Sequence, residues 1–331
     1  MPKLNMNLRK YIYSTLFFAS ILLSANAQDA ELSQFYNSPL YTNPAFAGLS
    51  GGNRVALNYR NQWQGTFTSY AAAFDANLPK IKSGLGILVF SDQLAYGALQ
   101  TNSALLSYAF HTKLNYNWTM SFGMQAGIKQ GQVDWNKFLF ADAINPVTGM
   151  VGSSAEKTPG NATVLYPDFN AGAIAYSDNS FAGLAIHNLN RPNYSFNGYN
   201  GDGSRLGTKI TLHGGTVLKP NPKIKDLIIS PNIMVMFQSR FTQVNFGFYI
   251  SKASFLTGLW FRQTAHNSDA LIAMVGFRKN NFKFCYSYDF TVSSQQWVNP
   301  GSHEVSLIWV FFKGERYGSK DYSKISCYGF R

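Results

Sequence analysis

The sequence has little charge, little cysteine and no long apolar run beyond its first 27 residues. Charged residues make up 13% of the 331 residues, whereas aromatic residues make up 16%. After Ala27 no unbroken apolar run is longer than Leu307 to Phe312, which is far below the ~20 residues that a membrane-spanning helix needs. If this chain meets a membrane, it must therefore do so with strands.

Residues that carry chemistry are also scarce. Cys285 and Cys327 are the only cysteines and are expected to be free thiols, although an exported protein can pair them. The five histidines show no metal-ligand spacing, and His303-Glu304 cannot form a nucleophile relay because neighbours on a strand face opposite sides. The sequence therefore predicts no enzyme, no cofactor and no metal site.

The first 27 residues have the form of a secretory signal peptide. Lys3, Arg9 and Lys10 precede an apolar stretch from Tyr11 to Leu23, and Ala25-Asn26-Ala27 ends in small residues. Cleavage there starts the mature chain at Gln28. The alternative is an uncleaved helical anchor, which is less favoured because the apolar stretch is shorter than a bilayer-spanning helix needs.

Residues 282 to 290 alternate strictly between aromatic and polar side chains, which is the period of a β-strand. Behind an export signal, this repeated pattern predicts an outer-membrane β-barrel with aromatics toward lipid. An arginine at Phe284 should then be costly, and one at Ser287, which faces the lumen, much less so.

Fourteen such segments divide residues 53–312, and no linker separates them, so the fold class is all-β, a transmembrane barrel of about 14 antiparallel strands. An even strand number places both termini in the periplasm, with short turns there and longer loops outside. The longest connections, 131–167, 189–204 and 293–302, all fall on one side, where Ser239-Arg240 is expected to be the only short connection. The segments are 53–60, 69–78, 84–91, 99–111, 117–130, 168–177, 180–188, 205–218, 228–238, 241–251, 253–263, 269–279, 282–292 and 303–312.

Basic residues gather at the predicted periplasmic side of this net-basic chain, which carries +12. They lie in the short turns and in the tail 313–331, and they define a basic periplasmic rim whose main members are Lys219, Lys223, Lys225, Lys320 and Lys324. A rim of one sign attracts an acidic partner. The alternative is that lysines keep turns soluble and strand edges unpaired. Nucleic acid is not expected in this compartment.

Five elements in order along the chain resemble the PorP/SprF family of type IX secretion and gliding proteins of Bacteroidota. They are the opening Gln34 to Gly48, Tyr59 to Trp63, Gly276-Phe277-Arg278, Tyr286 to Phe290, and Gly301-Ser302-His303-Glu304. The family signature residues carried over are Gln34, Pro39, Leu40, Asn43, Pro44, Ala45, Gly48, Arg60, Gln62, Trp63, Tyr286, Tyr288, Asp289, Gly301, His303 and Glu304.

The resemblance implies a non-enzymatic outer-membrane barrel that supports export or surface attachment of a specific cargo, such as a large adhesin. It also implies contacts with periplasmic ring and lipoprotein components of the machine, besides outer-membrane lipid. A passive pore or hydrophobic-solute transporter is the alternative, since barrels of this size can hold an open or plugged lumen. An outer-membrane enzyme is the third possibility.

The segment 28–52, between the signal peptide and the first strand, carries Pro39 and Pro44. Proline removes an amide donor and fixes φ, so residues 34–48 are not expected to form a central strand or a helix interior. The segment is a periplasmic lead-in to the first strand or a plug that enters the barrel or covers its mouth. The loop 131–167 can fold inward or stand outside to meet cargo.

Overall fold

The computed structural model describes residues 30–145, 148–152, 154–155, 162–196, 198, 201, 204–220, 227–264, 268–292 and 301–311. The predicted signal peptide 1–27 and tail 313–331 lie outside these residues. Lys223 and Lys225 of the basic periplasmic rim also lie outside them.

Fourteen strands form a closed barrel in which each strand pairs antiparallel with its neighbours in sequence and β14 pairs with β1. The predicted fold class and strand number are confirmed. The strands are β1 Asn53–Gln62, β2 Phe67–Leu78, β3 Ser83–Leu94, β4 Leu99–Lys113, β5 Thr119–Val133, β6 Thr163–Tyr176, β7 Ser180–His187, β8 Lys209–Thr216, β9 Leu227–Gln238, β10 Phe241–Lys252, β11 Phe255–Thr264, β12 Ser268–Lys279, β13 Phe282–Thr291 and β14 Ser302–Phe311.

Strand ends differ from the predicted ones by a few residues. β6 begins five residues early, because Thr163 to Pro167 pair with Gln132 to Ile128 of β5 although they lack an alternating pattern. Pairing with a neighbour therefore extends a strand beyond the residues whose own sequence indicates it.

Side chains alternate between the outer wall and the lumen as the period of a strand requires. On β13, Phe282, Phe284 and Phe290 are about half exposed on the outer wall, at 49%, 47% and 50%. Lys283, Cys285, Ser287 and Asp289 are buried on the luminal side. The outer wall is thus the apolar surface that lipid covers.

The barrel has a long-loop end and a short-turn end. The three longest connections, 134–162, 188–208 and 292–301, lie at the long-loop end. Contrary to the expectation of a single short connection there, four others at this end have four residues or fewer: 63–66, 95–98, 239–240 and 265–267. The reason is that β2, β3, β11 and β12 extend into residues that the alternating pattern had assigned to loops.

Residues 30–52, which we call the N-terminal segment, lie inside the barrel. They form two 3-10 turns, Phe35–Asn37 and Pro44–Phe46, around a short helix, Pro39–Thr42. Pro39 and Pro44 each start a helical turn, where a missing amide donor costs nothing. Residues 32–40 and 42–49 are all buried, and the segment contacts β3, β4, β5, β6 and β14. In the part of the chain that the structure describes, no helix is long and apolar enough to cross a membrane.

Candidate functional site

Signature residues that are far apart in sequence meet inside the barrel near its long-loop end. Arg60 lies 3.1 Å from Asp289 Oδ2 through Nη2 and 3.3 Å from Glu304 Oε2 through Nη1. Arg262 Nη2 lies 3.1 Å from the same Asp289 oxygen. We call these four residues the ionic cluster. Their side chains are at most 7% exposed, so the two arginines and two carboxylates neutralise one another away from water.

Strand register builds the ionic cluster. Arg60 of β1 lies directly opposite Glu304 of β14, and Ser287 of β13 lies opposite Glu304 on the other side. Arg262 was not singled out from the sequence. Its signal was a basic residue at a luminal position of the aromatic strand β11, two residues after Trp260.

The ionic cluster holds the start of the N-terminal segment. The amides of Ser33 and Gln34 donate to the two carboxylate oxygens of Glu304, at 2.6 and 3.1 Å. The Ser33 hydroxyl donates to Asp289 at 2.6 Å and accepts from both Arg60 and Arg262. Each charge therefore has a partner in the segment as well as in the wall.

Amide side chains extend this contact along β13 and β14. Gln34 Nε2 donates to Ser287 Oγ at 3.0 Å and to the Glu304 carbonyl at 2.9 Å. Asn37 Nδ2 donates to Ser306 Oγ at 2.7 Å. These hydrogen bonds fix the orientation of the first 3-10 turn relative to β13 and β14, because a hydrogen bond is strong only when donor and acceptor are aligned.

Aromatic rings pack the same turn against β10 and β11. Tyr36 stacks on Trp260 with centroids 5.6 Å apart and meets Tyr249 edge-on at 4.5 Å. Phe35 meets Trp260 edge-on at 5.1 Å. Burial raises the pKa of the Tyr36 hydroxyl well above its usual range. Burial also raises the pKa of Glu31, against the lowering effect of Arg262 and Lys209.

The middle of the segment crosses to β5, β6 and β7. Asn43 Nδ2 donates to the Leu184 carbonyl at 3.1 Å and lies 3.0 Å from His213 Nε2. The carbonyl of Ala45 accepts from Ser121 Oγ at 2.6 Å. Gly123 makes this approach possible, because a Cβ there would lie 2.3 Å from the Ala45 nitrogen. The buried Leu40 likewise packs against the bare backbone of β3.

A second buried ion pair holds the segment at the short-turn end. Arg54 Nε and Asp75 Oδ1 lie 2.7 Å apart, and the Gly48 amide donates to Asp75 Oδ2 at 2.9 Å. Gly48 has φ +75°, a conformation that L side chains rarely adopt. This pair was not predicted as a site.

The remaining signature residues of β1, β13, β14 and the loops beside them do not belong to the ionic cluster. Tyr286, Tyr288 and His303 are on the outer wall, where Tyr286 Oη and His303 Nδ1 lie 2.8 Å apart. The Trp63 amide donates to the Gly301 carbonyl at 3.3 Å and joins two signature elements at the long-loop end. Gln62 Oε1 accepts from Arg60 Nη2 at 3.1 Å. The element Gly276-Phe277-Arg278 does not reach the ionic cluster, since it lies near the end of β12 at the short-turn end.

Two cavities flank the start of the segment at the long-loop end. One, of about 310 Å³, is lined by Glu31, Arg60, Gln62, Trp63 and Arg262 among others. The second, of about 170 Å³, lies beside Tyr41, Phe90, Lys129 and Lys209. Ala30 lines both cavities. Among the described residues, no group of three or more His, Cys, Asp or Glu is placed to hold a metal ion.

Most lysines of the short-turn end are exposed where the structure describes them, whereas Lys283 faces the lumen and is buried. Lys219 of the basic periplasmic rim lies after β8 and is exposed, whereas Lys223, Lys225, Lys320 and Lys324 fall outside the described residues. The other exposed lysines at this end are Lys80, Lys82, Lys113, Lys252 and Lys279.

Comparison with known proteins gives one family and a set of barrels. A protein-family model described as "Type IX secretion system membrane protein PorP/SprF" matches residues 24–309. No curated protein matches the chain.

Solved structures with a similar fold are outer-membrane proteins. The toluene transporter TodX of P. putida has a TM-score of 0.52 at 10% identity over 83% of this chain and 94% of that chain. Omp33 of Acinetobacter baumannii has a TM-score of 0.46 at 8% identity over 80% of this chain and 100% of that one. Only TodX has a TM-score above 0.5, and at 10% identity this similarity supports the fold but no substrate.

Proposed function

Because the chain belongs to the PorP/SprF family of type IX secretion system membrane proteins, we propose that it supports export or surface attachment of one specific cargo, such as a large adhesin. Family and fold make it an outer-membrane component of the secretion machinery. The proposed role is non-enzymatic, in a bacterium of the Bacteroidota type, and gliding motility is one process that such a cargo serves.

The occupied lumen is the observation that carries this proposal. A passive pore needs a continuous path through the barrel, but the N-terminal segment is bound at both ends and in the middle by buried groups of the wall. The groups that hold it include Arg60, Asp289 and Glu304, which are signature residues of the family resemblance. The signature therefore supports a closed barrel that acts through its surfaces.

Two opposite surfaces are offered to partners. We propose that the long-loop end faces the outside and meets the cargo, while the short-turn end faces the periplasm. Its exposed lysines favour acidic parts of the secretion machine, such as ring or lipoprotein components, because opposite charges speed encounter. The predicted tail 313–331 would add to this basic periplasmic rim.

Transport of an apolar solute is the second candidate. The observation in its favour is the cavity of about 170 Å³, whose wall includes Leu88, Phe90 and Leu105. Such a path would require the N-terminal segment to move.

Deletion of the gene distinguishes these functions. The proposal predicts loss of one or a few large proteins from the cell surface, measured by surface biotinylation and mass spectrometry, with their accumulation inside the cell. Complementation with the wild-type gene should restore them, and the other outer-membrane proteins serve as the internal control. An unchanged surface proteome with lost uptake of a small apolar solute would favour the transporter.

A further inference from the structure

The N-terminal segment runs through the barrel in a defined direction. Its first described residues, Ala30 and Glu31, lie at the long-loop end. They share a cavity with Gln62, Trp63 and Thr264, which are all at strand ends there. Glu31 also accepts a hydrogen bond from Gln243, near the start of β10 at the same end.

The last residues of the segment lie at the opposite end. A Cβ on Gly48 would meet Gly84, next to the start of β3, and Asn77, next to the end of β2. Phe46 packs against Phe181 at the start of β7, with ring centroids 6.4 Å apart. These strand ends flank the turns after β2 and β6, so the segment enters β1 from the short-turn end.

The two ends of the segment are held differently. At the short-turn end the segment is covalently continuous with β1 through Ser50 to Gly52. At the long-loop end the described contacts are noncovalent, chiefly the hydrogen bonds of Ser33 and Gln34 with the ionic cluster. The segment is therefore a plug tethered at one mouth and held by noncovalent contacts at the other.

We infer that the start of the N-terminal segment, Ala30 and Glu31, lies at the cell-surface mouth of the barrel, on the opposite side of the membrane from the end of β14. This inference rests on the proposed orientation, with the long loops outside. It replaces, for the amino terminus, the expectation that both termini are periplasmic. Phe311, the last residue of β14, pairs with Asn53 at the short-turn end, where the tail would begin.

This path has consequences for assembly and for partners. A leader still anchored in the inner membrane cannot be joined to Ala30 at the cell-surface mouth, so the inference requires that the predicted signal peptide is cleaved before the barrel inserts. A cargo outside the cell would also meet Ala30 and Glu31, which are half-buried beside the cavity of about 310 Å³. The start of the plug is thus part of the surface offered to the cargo.

Cysteine labelling on intact cells tests the inference. In a Cys285→Ala, Cys327→Ser background, Ala30→Cys and Ser50→Cys mark the two ends of one segment. Thr148→Cys in a long loop and Lys219→Cys in a short turn are matched references. A membrane-impermeant maleimide should label Ala30→Cys and Thr148→Cys on intact cells, and Ser50→Cys and Lys219→Cys only after the outer membrane is permeabilised.

A second measurement is needed because a half-buried thiol at position 30 can react slowly with the maleimide even at the cell-surface mouth. A ten-residue epitope placed between Ala27 and Gln28 should bind antibody on intact cells carrying heat-modifiable, assembled barrel. Epitope binding only after permeabilisation, with Thr148→Cys labelled on intact cells, would overturn the inference while leaving the orientation intact. Labelling of Lys219→Cys but not Thr148→Cys on intact cells would show that the barrel has the opposite orientation in the membrane. That result would overturn the inferred position of Ala30 at the cell surface. Neither result depends on whether a cargo is exported.

Discussion

Glu304→Gln removes one charge from the ionic cluster with almost no change of shape. Glu304 accepts from the Ser33 amide at 2.6 Å, the Gln34 amide at 3.1 Å and Arg60 Nη1 at 3.3 Å. A glutamine has a single acceptor oxygen, and its NH₂ group would point at one of these donors. The variant therefore tests how strongly the wall holds the segment.

The expected loss follows from these contacts. Hydrogen bonds to a charged group contribute about 1.5–3 kcal/mol each, and breaking a buried ion pair costs about 3–5 kcal/mol. Arg60 keeps Asp289 at 3.1 Å, which limits the loss. We expect the free energy of unfolding to fall by about 3 kcal/mol, whereas His303→Gln, on the outer wall of the same strand, should cost under about 1 kcal/mol.

Denaturant unfolding in detergent micelles, followed by tryptophan fluorescence, measures both variants. Limited proteolysis from the amino terminus should show earlier cleavage within residues 30–48 for Glu304→Gln. A double variant with Arg60→Gln should lose less than the sum of the two single losses, because each partner is already unpaired in the other variant. Equal stability of Glu304→Gln and His303→Gln, with an equally protected segment, would refute the ionic cluster as the anchor.

Three further predictions test the lipid face, the close packing of the segment and the basic periplasmic rim. Val275→Arg, at mid-strand on the outer wall, should cost about 2–4 kcal/mol and Phe282→Arg, at a strand end, about 0–1 kcal/mol; equal loss of assembled barrel on heat-modifiability gels would contradict the assigned face. Gly123→Ala should cost about 1–3 kcal/mol in denaturant unfolding, because its Cβ overlaps Ala45, whereas Gly152→Ala meets nothing closer than 3.8 Å and should be neutral. Lysine-to-glutamate changes in the basic periplasmic rim are made together at Lys219, Lys223, Lys320 and Lys324. This variant should remain in the outer membrane but display less cargo at the cell surface, more so at low cargo expression. Cargo display equal to wild type would indicate that these lysines are ordinary turn residues.

Much of the barrel could be predicted from two local sequence patterns, the alternation of aromatic and polar residues in the strands and the predicted signal peptide. The alternation of β13 assigned its outer and luminal faces correctly. Strand ends were harder, since Thr163 to Pro167 become strand only through pairing with β5. The family resemblance also named Arg60, Asp289 and Glu304, but nothing in their separate motifs indicated that they touch.

The packing of the lumen could not be predicted from alternation. Ser287 faces the lumen as expected, but it is fully buried and accepts from Gln34, so from the structure we expect Ser287→Arg to be costly as well. Polar luminal side chains are equally compatible with water and with a polar plug, and only the fold shows which one they meet. Arg262 was missed for the same reason, because its partners lie on another strand and in the segment.

Single-channel conductance of the purified wild-type protein in planar bilayers tests the closed, plugged barrel most directly. We predict no stable conductance steps for the wild type and clear steps for a heat-modifiable variant that lacks residues 30–48. Stable steps of the same size in both proteins would show that the segment does not close the lumen, and would contradict the account.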